Sequence, residues 1–436
     1  MRFWRKRHFT PAGVMMMTAI LLSGIFGFNI LKTNVYQVMA FGFSAMAVSM
    51  VLSLVPFRFK VKINRILPDY ATIGDKLNYE IEITNLSSKP QKGLILYEDL
   101  HDPRPSFKTL LSRKEPFEHL RNAWDRKILY FRWQWLIQKN SKARFNPVEL
   151  PDLPAGETIR VTVRFVPCYR GYIHFSGSTF ARPDAMGLFN RLLFVKKVQK
   201  MLVLPKRYQL ESPDLISARH HHPGGISLAA SIGNCDEFMS LRQYRPGDPL
   251  RNVHWRTFAK TNELVIKEFE DEYFVRHALI LDTFLSSGNE NLFEDAVSIA
   301  SSYVSSMQLY ESILDLMFVG NQIYSFSSGR GLACSEKMLE ILACVEPFED
   351  KTVYELVPVL QPCIKKFSGS ICIFLGWEPG HKKIYQMFKQ ALVPVFVIVL
   401  TEDKLKMEKK ISLDMSEMTH IKVVQSGQIE QGLGFV

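Results

Sequence analysis

Four arginines, Arg242, Arg245, Arg251 and Arg256, crowd around the turn-forming run Pro246-Gly247-Asp248-Pro249. Tyr244, His254 and Trp255 stand among them, and an acidic stretch, Glu268, Glu270, Asp271 and Glu272, follows. A guanidinium offers a planar fork of donors that grips a carboxylate or phosphate at two points, so this is the chemistry of recognition. Catalysis would need a nucleophile beside a base or metal ligands at convergent spacing, and the stretch has neither. Proline presets φ and glycine admits positive φ, so Arg245 to Leu250 is expected to form a rigid exposed turn between two short strands. The arginines have an alternative use in internal pairs with Asp248, Glu268 and Glu270, because Arg and acid on adjacent strands pair readily.

A second candidate is Asp282, which ends the apolar run His277-Ala-Leu-Ile-Leu. In open α/β sheets ligands gather beyond the carboxyl ends of strands, and Asp282 is at such an end. His220, His221 and His222 invite a metal reading, but consecutive side chains do not converge on one ion and no carboxylate or thiol is spaced to complete the set. With Pro223-Gly224-Gly225 they read as a linker over residues 208–235. The cysteines, Cys168, Cys235, Cys334, Cys344, Cys363 and Cys372, lack CxxC spacing and lie in mostly apolar surroundings, which predicts buried free thiols in a reducing cytosol.

The elements that must position these residues follow from charge and periodicity. The formal charge is +11, but the basic excess belongs to residues 1–68 and 104–144, which leaves the remainder net acidic. That distribution excludes a generic nucleic-acid binder, whose basic stripe would lie on the folded body. Val14 to Leu31 and Val35 to Phe57 are uncharged and separated by three polar residues, so residues 1–60 read as a transmembrane α-hairpin. Arg and Lys flank both outer ends, which predicts a multi-pass cell-membrane protein with both termini and the soluble part in the cytoplasm.

Residues 61–207 alternate apolar and polar with period two and break at Gly74-Asp75, Ala155-Gly156 and Arg170-Gly171, the pattern of an antiparallel β-sandwich. An insertion, 103–147, mixes Trp124, Tyr130, Phe131, Trp133 and Trp135 with Arg121, Arg126, Lys127 and Arg132. It fits either an anionic lipid surface or helices whose rings pack inward while their cations face water. After the arginine-rich segment, 236–275, apolar strands alternate with helices over 276–436, which predicts a largely parallel sheet covered on both faces. Val353 to Lys366 reads as one of those helices, and Gln322 to Phe326 as the return strand of a hairpin.

The pattern Phe238, Leu241-Arg242, Tyr244-Arg245-Pro246-Gly247-Asp248, Arg251, His254-Trp255 and then Lys267, Glu268 and Glu270 resembles the signature of the domain-of-unknown-function 58 family. Tyr169 to Tyr172, Pro183 to Phe189 and Val203 to Pro205 are similar to the region which that family carries ahead of its signature. The resemblance implies a bacterial, membrane-anchored protein that partners a MoxR-type AAA ATPase. It further implies partner-binding roles for Arg242, Tyr244, Arg245, Gly247, Asp248, Arg251, His254, Trp255 and Arg256. The α/β part looks like a von Willebrand factor A domain, whose metal site reads Asp-x-Ser-x-Ser. Here Asp282 and Ser286 match, Phe284 takes the middle position and Trp377-Glu378 stands where an Asp is expected, so the site is expected to be degenerate. A weak Mg²⁺ site using Asp282, Ser286 and Glu378 is the alternative. The reading reached is a non-enzymatic membrane-anchored docking or scaffold protein for envelope assembly or maturation, without cofactor. The alternatives are a transglutaminase-like or other hydrolase-associated enzyme, or a sensor of anionic ligands.

Overall fold

In the computed structural model, the structure describes residues 8–26, 33–55, 59–115, 118–210, 238–248, 250–269, 276–284, 290–307, 313–319, 323–328, 332–348, 352–414 and 420–433. The chain forms two compact units, Met1–Lys206 with Leu339–Val345, and Arg207–Met338 with Glu346–Val436. The expected linker, 208–235, lies almost wholly outside the described residues.

The first unit opens with two apolar helices, α1 (Pro11–Phe26) and α2 (Thr33–Ser53). Gly42 lets them approach closely, since a Cβ there would sit 3.0 Å from Ile20 Cγ1. Among the described residues one helix, over Tyr36–Ser53, is long and apolar enough to cross a membrane, while the apolar helix Pro11–Ile25 is shorter.

Nine strands follow: β1 (Val61–Ile66), β2 (Tyr70–Thr72), β3 (Leu77–Asn85), β4 (Ile95–Leu100), β5 (Ala143–Phe145), β6 (Val148–Glu149), β7 (Thr158–Pro167), β8 (Gly171–Pro183) and β9 (Asn190–Leu204). They form two sheets, β1-β3-β7-β5 and β2-β9-β8-β4-β6, which is the expected sandwich. Alternation works as anticipated on β3, where Tyr79, Ile81 and Ile83 are buried while Asn78 and Glu80 face out. Among the described residues, the core contains an ion pair. Arg65 on β1 donates from Nε to Glu98 on β4 (2.7 Å), and both side chains are fully enclosed. Ser178 on β8 completes it, donating to Glu98 Oε1 (2.6 Å) and accepting from Arg65 Nη2 (2.7 Å). The group ties one sheet to the other.

The insertion folds as short helices, Phe107–Ser112, Ala123–Ile128 and Tyr130–Asn140. Its cations are partly spent inside it: Arg121 reaches Glu115 (2.8 Å) and lies over the Phe131 ring (4.1 Å), and Arg132 pairs with Glu118. Phe131, Trp133 and Trp135 are half-buried, while Trp124 is 70 % exposed.

The second unit carries a two-stranded ribbon, β10 (Phe238–Gln243) with β11 (Val265–Phe269), and a six-stranded sheet. The sheet is built from β12 (Arg276–Leu281), β13 (Ile313–Val319), β14 (Ile323–Ser328), β15 (Gly369–Phe374), β16 (Val395–Thr401) and β17 (Ile421–Gln425) in the order β14-β13-β12-β15-β16-β17. All its pairings are parallel except β13 with β14, the expected hairpin. β15, flanked by strands on both sides, is buried at every residue, hence its unbroken apolar sequence.

Two expectations need correction. Val353 to Lys366 is not one helix: a 3₁₀ turn (Val353–Leu356), a short α-helix (Val357–Cys363) and another 3₁₀ turn (Ile364–Lys366) replace it. Pro362 lies inside that short helix and lacks the N–H that an uninterrupted helix would use. Nor are the thiols uniformly buried: Cys372 is enclosed, which pushes its thiol pKa up, but Cys344, closing the helix Leu332–Cys344, is exposed.

Candidate docking surface

The ribbon pairs Leu241 with Lys267, Arg242 with Ile266 and Gln243 with Val265. Past β10 the chain turns at Arg245 to Asp248, where the Asp248 N–H donates to the Arg245 carbonyl (3.0 Å). Gly247 sits at φ 108°, a conformation that favours glycine. Asp248 locks the turn from the inside. Its carboxylate accepts both terminal nitrogens of Arg242 (2.7 and 2.8 Å) and the Arg245 N–H (2.8 Å). The turn forms where its composition placed it, and Arg242 is spent on holding it. This corrects the expectation that Arg242 faces a partner.

The direct strand-to-strand hairpin is a second correction. A 3₁₀ turn (Leu250–Asn252) and a helix (Trp255–Thr261) intervene before β11. Val253, almost fully buried, bridges to Ile266 and pins this excursion to the ribbon. His254 bonds through Nδ1 to Thr257 Oγ1 (2.6 Å) at the head of the helix, and Asn262 ends it in the left-handed region at φ 54°. His254 is thus a structural residue of the helix start.

Among the side chains facing out are Arg245, Arg256 and Lys260, apolar Leu241, Leu250 and Trp255, and the acid Glu263. Trp255 is 59 % exposed with its indole edge-on to Phe258 (6.1 Å), and Leu250 is 62 % exposed. Tyr244 is half-buried; the Arg251 side chain, Pro249 and Glu270 lie outside the described residues. Leu250 has no site role in the sequence analysis, and Leu241 enters it only as part of the signature pattern. Their signal was an apolar residue immediately beside an arginine, with nothing local to pack against.

Asp248 is held down to about 2 by the Arg242 guanidinium and the Arg245 N–H. A depressed carboxyl contributes stability that is complete above its unfolded value and lost as pH falls through the folded one. The turn is therefore expected to stay closed at pH 5 and to open between about pH 4 and pH 2. Hydrogen exchange at the Arg245 amide checks this, and Asp248→Asn should show the open-turn rate already at neutral pH.

Asp282 is placed at the carboxyl end of β12, where the strand order reverses between β13 and β15. Ligands commonly bind at such a crevice. Here the carboxylate is already satisfied: Oδ1 accepts from Phe284 N–H (2.9 Å), and Oδ2 from Leu375 N–H (2.9 Å) and His381 Nε2 (2.9 Å). His381 accepts the Glu378 N–H at Nδ1 (2.9 Å), so its proton is on Nε2, facing Asp282. Buried Trp377 and half-buried Phe284 fill the surroundings, while Glu378 is exposed and caps the helix Pro379–Gln390. Ser286 lies outside the described residues. His381→Ala should cost about 3 kcal/mol by leaving a buried carboxylate oxygen short of a donor, which thermal unfolding would detect.

Residues 240–355 match the family described as "Protein of unknown function DUF58". This segment is a DUF58 domain. It runs from within β10 to the 3₁₀ turn before Val357, and so includes the locked turn and the first half of the sheet. The chain is also similar to "Uncharacterized protein YeaD" of Bacillus subtilis (strain 168), 27 % identical over 178 residues, or 40 % of this chain and 42 % of the relative. The match spans less than half the length of that curated relative.

Among solved structures, the CARDB domain of a Pyrococcus furiosus protein in complex with di-metal ions is 10 % identical, covering 35 % of this chain and 96 % of that one at TM-score 0.18. E. coli alpha-2-macroglobulin is 13 % identical, covering 34 % and 7 % at TM-score 0.19. A beta-glucosidase from Listeria innocua is 16 % identical, covering 34 % and 16 % at TM-score 0.16. Scores this low carry no argument, and the sandwich is assigned from its own strand order.

Proposed function

We propose that this protein is a non-enzymatic, membrane-anchored docking protein whose contact surface is the DUF58 turn and the short helix behind it. One observation carries the reading: exposed Trp255, Leu250 and Leu241 stand among exposed Arg245, Arg256 and Lys260 on a turn locked by Arg242 and Asp248. Aromatic and arginine side chains dominate binding energy at protein interfaces, and a rigid surface loses little entropy on association. The partner is an acidic protein surface with an apolar recess. A MoxR-type AAA ATPase acting in cell-envelope assembly or maturation is the candidate implied by the family resemblance.

The α/β unit serves as the mount for this surface, in the manner of a von Willebrand factor A domain without its ion. The saturation of Asp282 by N–H donors supports that part of the proposal. Adding Mg²⁺ or a chelator should leave the unfolding temperature unchanged. The apolar hairpin of α1 and α2 holds the protein in the cell membrane with the soluble units in the cytoplasm. The decisive test is binding of a purified MoxR-type AAA ATPase to the solubilised full chain, compared with a Trp255→Ala variant. Failure of the unaltered chain to bind would remove the named partner, and equal binding by both would remove the surface.

A further inference from the structure

The turn between β8 and β9 does more than reverse the chain. Asp184 N–H donates to Phe189 O (2.8 Å), and Asp184 Oδ1 accepts the N–H groups of Leu188 (2.9 Å) and Phe189 (3.1 Å). Its other oxygen, Oδ2, accepts the Ser49 hydroxyl of α2 (2.6 Å). The start of α1 is tied to the same turn. Thr10 donates its N–H (3.2 Å) and its hydroxyl (3.1 Å) to Leu188 O and also bonds Gly187 O, while the rings of Phe9 and Phe189 lie 4.8 Å apart. Gly13 makes the approach possible, because a Cβ there would lie 2.1 Å from Leu188 O. Burial pushes the Asp184 carboxyl up, but Ser49 and the turn's N–H groups outweigh it and hold the pKa below the ordinary value.

Both outer ends of the apolar helix pair are therefore fastened to one tip of the sandwich. Ser49 is one turn from the end of Tyr36–Ser53, a segment of about 27 Å at 1.5 Å per residue, close to the thickness of a bilayer's hydrocarbon. With that segment in a bilayer, the tip is at headgroup level. Its outward residues suit the position: Ala185 and Met186 are exposed, Met186 at 46 %, and exposed Arg182 follows behind them.

The insertion leaves the sandwich at the opposite end. β4 runs from Ile95, opposite Ala181, to Leu100, opposite Phe175, and His101 N–H then bonds His174 O (3.0 Å). Ten residue steps lead from His174 along β8 to Asp184, about 30 Å of rise. The aromatic and basic composition of 103–147 matches a lipid surface, but its root is remote from the helix pair.

We infer that the β8–β9 tip, led by Met186, is the part of the sandwich that meets lipid headgroups, and that the insertion is held away from the bilayer. This rests on the membrane-anchored reading above. The test installs a benzoylphenylalanine photocrosslinker at Met186, and separately at Trp124, in the full chain reconstituted into phosphatidylethanolamine–phosphatidylglycerol liposomes. After flotation and illumination, mass spectrometry is expected to find lipid adducts at 186 and only background at 124. Protein that floats with the liposomes but shows no adduct at 186, or shows adducts at 124, overturns the orientation. Protein that fails to float overturns the anchor reading itself, and the two failures are told apart at the flotation step.

Discussion

Glu98→Ala is expected to destabilise the sandwich by about 3–5 kcal/mol, because it leaves the Arg65 charge enclosed without its carboxylate. Arg65 would keep Ser178 Oγ (2.7 Å) and Lys197 O (2.8 Å) as acceptors, neither of which carries a compensating charge. Urea unfolding of the solubilised full chain, followed by a probe on the sandwich, measures the loss. Arg65→Met combined with Glu98→Leu should cost much less, since both charges leave together. Equal losses for the single and double variants would show that packing alone holds the sheets together.

The pair also has a pH signature. Burial pushes the Glu98 carboxyl up, and Arg65 and Ser178 pull it back without cancelling the rise. A raised carboxyl means that the folded state binds the proton more readily. Its contribution is then complete below the unfolded value and declines as pH rises through the folded one. This pair does not drive acid unfolding, and Glu98→Gln, which mimics the protonated form, should cost less than Glu98→Ala.

Trp255→Ala is expected to weaken capture of the proposed partner, a MoxR-type AAA ATPase, by roughly 30-fold, the loss of about 2 kcal/mol usual for an aromatic anchor. Trp255 projects from a helix held by Val253 against Ile266 and by the N–H of His254 on Val265 O (2.8 Å), so its removal should leave the turn intact. Arg245→Ala with Arg256→Ala should act differently, slowing association and flattening its salt dependence, because exposed cations steer encounters. Arg242→Ala belongs to a third class: it frees Asp248 and should loosen the turn before any partner is present. Surface plasmon resonance at two salt concentrations separates these behaviours. A Trp255→Ala variant that binds with unchanged affinity would refute the docking surface.

Much of the architecture could be read from local patterns. The strict alternation on β3, the unbroken apolar run of β15 and the uncharged stretches that became α1 and α2 each report which faces of one element meet solvent or core. That information is carried within a few residues. The position of the Arg245–Asp248 turn was legible for the same reason, since proline fixes its own φ and glycine admits the positive φ the turn uses.

The roles of the charged residues were not legible, because a charge takes its meaning from what faces it across space. Arg242 and Arg245 look alike in the chain, yet Arg242 brings its guanidinium to Asp248 while Arg245 gives it a backbone N–H, and that depends on where β10 ends. Asp282 kept the strand-end position that its sequence predicted, but its partner, His381, is ninety-nine residues away, brought over β15 by the helix Pro379–Gln390. Arg65 and Glu98 share the inward register of Ile63 and Leu96 on two alternating strands, and only the closing of one sheet over the other made them a pair. Composition and periodicity set the elements and their buried faces; the closing of the sheets and the crossings between strands chose which charges are neutralised inside and which remain for a partner.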